Sequence, residues 1–362
     1  MDRRQLLTAG LLGFTGAVLT SGCSGAGGVR PSPSRDGQRD TEDTGRTAVE
    51  VIASGLNVPW AMGFLRGGDA LVTQRDDATI VRVSGSGEVR TVGEIGDAAP
   101  RGEGGLQGIA IAPGAEDAVF VYYTTDSDNR LVRLDFDGRR LTGPRTLLRG
   151  LDAAYNHHGG ALVFDADGSL FVAVGDAAEP AVAQDIRSLN GKILRVDTEG
   201  RPWPGNPFGN EVYSYGHRNV EGLAFDGAGR LWATEFGQNK RDELNLIRRG
   251  GNYGWPEFEG ESDDPRFIAP KVTWTPQEAS PAGLAIVGDR AYVAALRGRR
   301  LWEVPLDGES TGQPASHLTD DYGRIRAVAA APDGSLWVST SNTDGRGQPT
   351  DDDDRILRVI AG

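Results

Sequence analysis

Apolar residues in this chain come in short runs separated by turn formers. Ala161-Leu162-Val163-Phe164 and Leu170-Phe171-Val172-Ala173-Val174 are typical. Such runs are rich in the β-branched and aromatic side chains that fit a pleated surface. Between the runs stand Gly67-Gly68-Asp69, Asp137-Gly138, Asp167-Gly168, Gly227-Ala228-Gly229, Gly288-Asp289 and Asp333-Gly334, each a tight-turn signal. Helical periodicity is weak throughout, so the pattern predicts an all-β protein.

The runs also repeat as a unit: a small or glycine residue, an apolar strand, a turn, a second apolar strand, and later a third with an arginine-and-valine ending. Unit one runs from Trp60 to Val83, unit two from Gly105 to Leu134, and unit three from the histidine pair to Val196. Unit four runs from Gly222 to Ile247, unit five from Gly283 to Val304, and unit six from Ala327 to Val359. Roughly six units at intervals of about 45 to 60 residues predict a six-bladed β-propeller with four-stranded antiparallel blades. One blade cannot bury both of its faces, so blades pack radially around a channel. The loops that precede the inner strands then converge on one mouth. That register gathers Glu103 (before blade two), His157 (before blade three), Arg218 and Asn219 (before blade four), and Arg324 and Arg326 (before blade six).

Composition narrows the setting. The net charge of -13 repels phosphate backbones and excludes nucleic acid as a partner. Residues 1–22 read as an export signal: Arg3-Arg4, then an apolar run from Leu6 to Leu19 that is too short for a membrane span. Thr20-Ser21-Gly22-Cys23 resembles a bacterial lipobox, in which the cysteine is lipidated. Cys23 is the single cysteine, so it makes no intrachain disulfide. The stretch from Asp2 to Leu7 also resembles a twin-arginine signal, which leaves the export route open between the general and twin-arginine systems. Residues 23–48 are mostly Gly, Ser, Pro, Arg and Asp and are expected to form a flexible tether, with the folded domain spanning 49–362. The expected location is extracytoplasmic, in the periplasm or at the cell surface, with membrane contact only through a lipid anchor on Cys23.

Two clusters carry candidate chemistry. Tyr155-Asn156-His157-His158-Gly159-Gly160 holds two of the four histidines, in a loop that empties into a strand. Histidine suits proton transfer near neutral pH; the alternative is that both rings satisfy backbone groups in a tight turn. The arginines beside it form a planar-fork set suited to a small, multiply anionic ligand, although any one of them alone equally suits a surface acid. The second cluster is the stretch from Glu235 to Glu243, followed by Gly250-Gly251-Asn252-Tyr253-Gly254-Trp255-Pro256. Its carboxylate, amide and backbone oxygens suit Ca²⁺, and the chain has no Cys/His set for zinc. The acidic run Asp351 to Asp354 reads as a solvated hairpin tip.

Several motifs together resemble the PQQ-dependent soluble aldose sugar dehydrogenases of the glucose/sorbosone dehydrogenase family. They are Gly55-Leu56-Asn57-Val58-Pro59-Trp60, Gly102-Glu103-Gly104-Gly105-Leu106, His157-His158-Gly159-Gly160, Asn190-Gly191-Lys192-Ile193-Leu194-Arg195 and Tyr213-Ser214-Tyr215-Gly216-His217-Arg218-Asn219. Asp242-Glu243-Leu244-Asn245-Leu246-Ile247, the run through Trp255-Pro256, and Arg324-Ile325-Arg326 complete the set, in order, across the whole domain. The resemblance implies a six-bladed propeller that oxidises aldose sugars at C1 to lactones and hands the electrons to a soluble or membrane acceptor. It implies that His157 is the base that takes the anomeric proton while hydride passes to C5 of the quinone. Arg218, which would also act in catalysis, and Asn219 match the pair beside PQQ; Arg324 and Arg326 match the arginines that hold its carboxylates. Trp274 is expected to border the cofactor. Gly237 and Gln238 match the carbonyl ligands of the PQQ-associated Ca²⁺, and Glu243 and Tyr253 match a further Ca²⁺ site.

The chain departs from the family's glucose-oxidising branch at three places: Asn156 replaces an aspartate beside the base, Glu103 replaces a glutamine that touches substrate, and Arg297 replaces a PQQ-binding lysine. Glu103 and Asn156 are therefore expected to bear on substrate binding. The long inserted loops of that branch's dimer contacts are missing, so a monomer is expected. Two other classes share parts of the pattern. Ca²⁺-dependent propeller hydrolases such as lactonases also place acids, Asn and metal at a channel mouth, but need no arginines for a tricarboxylate. A non-catalytic propeller that binds a sugar or a partner would not need His157 together with Arg218 and Asn219.

Overall fold

The computed structural model describes residues 48–360; the export signal, Cys23 and nearly all of the tether lie outside the described residues. Six antiparallel sheets form the blades. The inner strands are Pro59–Phe64, Leu106–Ala112, Gly159–Phe164, Val220–Phe225, Pro281–Val287 and Ile325–Ala330, and all six line the central channel. Each is followed by a fully or mostly buried second strand, such as Ala70–Gln74, Leu170–Val174, Leu231–Glu235 and Leu336–Thr340. In blade five the outermost position is shared by two short pieces, Ser310–Thr311 and Ala315–His317, both paired with Arg300–Asp307. The only helix among the described residues is the 3-10 turn Pro180–Gln184. No helix among them is long and apolar enough to cross a membrane.

The repeated small residue has a steric reason. Inner strands crowd the axis at the narrow end of each wedge. A Cβ added at Gly108 would lie 1.9 Å from the Gly160 carbonyl oxygen, and one at Gly222 would lie 2.5 Å from that of Ala282. Farther out, apolar faces of adjacent blades meet. Edge-to-face aromatic pairs mark several seams: Phe64 with Trp337 (5.0 Å) between blades one and six, Phe120 with Phe164 (5.1 Å) between two and three, and Phe171 with Phe225 (5.4 Å) between three and four. Each fully buried ring or branched side chain contributes roughly 1.5–3 kcal/mol of burial. The turns of blades three and six follow one scheme. In blade three, Gly168 at φ 86° donates its amide to the Asp165 carbonyl, and Asp167 accepts from the Ser169 amide and hydroxyl.

The ring is closed by a strand that the repeat units do not contain. Ala48–Ala53 pairs with Ile356–Ile360, with Ala48 opposite Ile360 and Val51 opposite Leu357, and completes blade six. The acidic run corrects the expectation of a solvated tip. Asp351 and Asp352 are exposed, but Asp354 is fully buried. Its carboxylate accepts from the Asn342 and Val58 amides and the Thr340 and Thr343 hydroxyls. Buried carboxylates persist where their lone pairs are used, and here they tie blade six to the segment that enters blade one.

Candidate active site

His157 sits at φ 62°, in the left-handed region that side chains seldom adopt. The conformation is held from outside. Ala177 donates its amide to the His157 carbonyl (3.1 Å), and Gly175 lies so close to that carbonyl that an added Cβ would come within 1.9 Å of its oxygen. The ring is pinned by an acid that sequence reasoning did not single out. Asp176 Oδ1 accepts from His157 Nδ1 at 2.7 Å and from the Ala178 amide at 2.9 Å, while Oδ2 accepts from Trp255 Nε1 at 2.8 Å. Asp176 is fully buried. With Nδ1 committed as donor, Nε2 carries the unprotonated lone pair, which accepts from Asn156 Nδ2 at 3.1 Å. The available signal was an acidic residue just beyond a buried strand: Asp176 follows Leu170–Val174, as Glu235 ends Leu231–Glu235.

The neighbouring histidine has a different part. His158 is buried, with Nδ1 2.9 Å from Asn129 Oδ1, and its carbonyl accepts from the Tyr122 hydroxyl. Burial pushes its ring down to about 4, and the nearby charges of His157, Arg75 and Arg101 push the same way against Glu103. A group depressed from 6.5 to about 4 adds stability that is complete above the higher value. That stability is lost as pH falls through the lower one, because only the unfolded chain takes the proton. The loss is on the order of 3 kcal/mol. Urea unfolding measured between pH 7 and 4 is expected to weaken more steeply for the wild type than for His158→Gln; equal slopes would assign the acid sensitivity elsewhere.

Glu103 bridges the mouth. Oε2 accepts from the His157 amide (3.1 Å) and Oε1 from Arg346 Nη1 (2.9 Å), a residue of the blade-six loop. Burial would raise its carboxyl, but the His157 amide and Arg346 outweigh it and hold it below the usual carboxylate range.

Of the expected arginines, Arg324 and Arg326 share one cavity, Arg297 lines the adjoining one, and Arg218 lines a separate space beside Phe236, Gly237 and Trp255. Arg324, Arg326, Arg75 and Arg346 line one small cavity with Glu103, Glu221 and Phe236. Arg324, Arg346 and Leu296 continue into a larger cavity of about 410 Å³ that Arg297 also lines. Arg326 lies in the inner strand itself, one residue past its start, with its guanidinium 4.9 Å over the Trp60 ring. Arg218 lies 5.5 Å over the Trp255 ring and donates through Nη1 to the Gly237 carbonyl at 2.9 Å. The Nε atoms of Arg218 and Arg326 are buried without a partner. Asn219 Oδ1 accepts the Gly159 amide (2.9 Å) and so links this wall to the histidine loop.

Trp274 does not join them. It ends the outermost strand of blade four, buried in the apolar core with Trp232, Leu244 and Leu284, and 5.9 Å from Trp302. At the edge of a wedge a large apolar ring fills the inter-blade space instead of lining the mouth. The metal expectations divide. The loop bearing Gly237 and Gln238 is braced by Asp242, which accepts the Gly237 amide, and by Glu259, which accepts the amides of Asn239, Lys240 and Arg241. Glu243 is buried beside Glu235, and burial first, then the Glu235 charge, pushes its carboxyl up to about 8. The Tyr253 hydroxyl is already committed, donating to Leu246 and accepting the Arg248 amide. Among the described residues no three His, Cys, Asp or Glu side chains converge as a metal set.

A histidine held by a buried carboxylate, beside arginine-lined cavities at one channel mouth, is the make-up of an enzyme site on a propeller. The chain matches the glucose/sorbosone dehydrogenase family over residues 56–357. It is 30% identical to aldose sugar dehydrogenase YliI of Escherichia coli, over 82% of this chain and 91% of that one. Among solved structures it is similar to the PQQ-bound form of aldose sugar dehydrogenase from Streptomyces coelicolor, with 46% identity, a TM-score of 0.83, and coverage of 87% of this chain and 98% of that one. A putative oxidoreductase (glucose dehydrogenase) from Thermus thermophilus is 41% identical with a TM-score of 0.82, covering 87% of this chain and 100% of its own. The chain belongs to the glucose/sorbosone dehydrogenase family and is accordingly a sugar dehydrogenase.

Proposed function

We propose that this protein oxidises aldose sugars at C1 to lactones with PQQ as cofactor and Ca²⁺ beside it. The observation that carries the reading is the His157–Asp176 pair set next to buried guanidiniums with unused donors. A planar tricarboxylate needs cationic forks, and Arg218 and Arg326, whose Nε atoms have no partner, with Arg324 and Arg297 in the cavity walls, are the guanidiniums available to it once the carboxylates now paired with Arg324 and Arg326 give way. When bound, PQQ supplies a two-electron acceptor for the hydride that leaves C1.

The chain's own residues do the rest. His157 Nε2 takes the proton of the anomeric hydroxyl, and Asp176 keeps the ring in the tautomer that leaves Nε2 unprotonated and stabilises the imidazolium formed. Arg218 and Asn219 stabilise charge that develops on the acceptor side. Asn156 and Glu103 flank the base, where sugar hydroxyls would be held. The carbonyls of Gly237 and Gln238 are hard oxygens suited to Ca²⁺ beside the cofactor, and Glu243 is a buried acid whose charge a second cation, shared with Tyr253, would balance. Because the Tyr253 hydroxyl is taken, that residue would contribute its carbonyl. The protein acts as a monomer outside the cytoplasm, anchored through Cys23.

Reconstitution tests the reading. Purified protein with PQQ and Ca²⁺ is expected to reduce a dye in the presence of aldoses and to do so only with PQQ. Failure to bind PQQ would leave a binding propeller and sink the enzyme mechanism.

A further inference from the structure

The floor of the mouth is one buried acid. Glu221, on the inner strand of blade four, lines the small cavity shared by Arg324, Arg326 and Arg346. It also lines the central channel, a space of about 370 Å³ that runs along the inner strands as far as Phe164, Phe225 and Ile286. It therefore stands between the mouth and the channel. Oε2 pairs with Arg326 Nη1, and Oε1 accepts from Asn219 Nδ2 at 3.0 Å.

Three mouth arginines each hold a protein carboxylate already: Arg324 with Asp344 (2.8 Å), Arg346 with Glu103 (2.9 Å), and Arg326 with Glu221. A ligand with three carboxylates meets a neutralised set, so protein carboxylates must give way. They are not equivalent. Asp344 also accepts the Arg346 amide (2.9 Å), and Glu103 accepts the His157 amide (3.1 Å). Backbone donors favour the anion, and both groups are held below the usual carboxylate range, against the effect of their burial. Glu221 has no backbone donor. Burial raises its carboxyl most, Arg326 opposes this, and the charge of Glu103 adds to it. The charged groups that share its cavity are Arg75, Glu103, Arg324, Arg326, Asp344 and Arg346.

We propose that Glu221 couples cofactor binding to protons: a ligand carboxylate takes over Arg326, and Glu221 leaves the ion pair by accepting one proton from water in the central channel. The inference rests on the cofactor reading above. The ligand stays anionic, and solvent supplies the proton. The sign follows from linkage: a complex that holds one more proton than its parts tightens as pH falls.

The test is calorimetric titration of the whole protein with PQQ in excess Ca²⁺, in buffers of different ionisation heat. Wild type is expected to take up about one proton per PQQ, and its Kd to strengthen by close to tenfold from pH 8 to pH 7. Glu221→Gln, checked for folding by its thermal melt, is expected to take up none, with a Kd nearly independent of pH and about a hundredfold tighter than wild type at pH 8. Binding by wild type without proton uptake, or the same uptake in Glu221→Gln, would overturn the inference and leave the cofactor reading standing. If the variant does not fold, the wild-type uptake alone decides. No binding by wild type would overturn both.

Discussion

Alanine at His157 is expected to lower kcat for aldose oxidation by about a thousandfold, within the range that a positioned base contributes. The two carboxylates in contact with His157 are already engaged. Glu103 spends one oxygen on the His157 amide and the other on Arg346, and Asp176 is buried behind the ring. Asp176→Asn is expected to lower kcat by about a hundredfold, for a reason written in its contacts. The carboxylate accepts from three donors: His157 Nδ1, the Ala178 amide and Trp255 Nε1. An amide has one acceptor oxygen, so one orientation sets its NH₂ against Trp255. The other sets it against His157 and the Ala178 amide, where the ring must turn its proton onto Nε2 and lose the lone pair. Single-turnover dye reduction, with PQQ binding followed by fluorescence, separates this from loss of cofactor. A fall of less than about tenfold in His157→Ala would mean that another group takes the proton.

Asp354→Ala is expected to destabilise the fold by about 4 kcal/mol. The carboxylate is fully buried and receives donors from two places: Thr340, Asn342 and Thr343 on blade six, and Val58 on the segment that enters blade one. Removing it leaves several donors buried without a partner, each at a cost of roughly 1–3 kcal/mol. The same seam is joined by backbone bonds between Leu56 and Asp354 in both directions. Because it closes the ring, its loss is felt by every blade. Equilibrium urea unfolding measures the effect, and a change below about 1 kcal/mol would assign closure to the strand pairing of Ala48–Ala53 alone.

Local sequence determined the blades. Short apolar runs, Asp-Gly turns and a small residue on each inner strand are consequences of period-two side-chain alternation and of crowding at the axis, and both act between residues near in sequence or repeated at fixed intervals. The same regularity placed His157, Arg218, Asn219 and Arg324 at one mouth, because in a propeller register converts spacing into direction. Family motifs added the expected roles of those residues.

What the tertiary structure alone decided are the pairings between distant residues. Asp176 reads as the end of an apolar strand until Gly175 brings its backbone against His157. Glu221 reads as one charge among many until blade six sets Arg326 over Trp60 and against its carboxylate. Asp354 reads as a solvated acid in a run of four, and Trp274 as an aromatic ring free to border a ligand; closure of the ring buries the first against Val58, and packing of blades four and five buries the second against Trp302. Composition and periodicity carry no term for a partner on another strand or blade, whether 19 residues away, as for His157 and Asp176, or 296, as for Val58 and Asp354. Charge compensation and burial depend on that partner, and so appear only when the blades close.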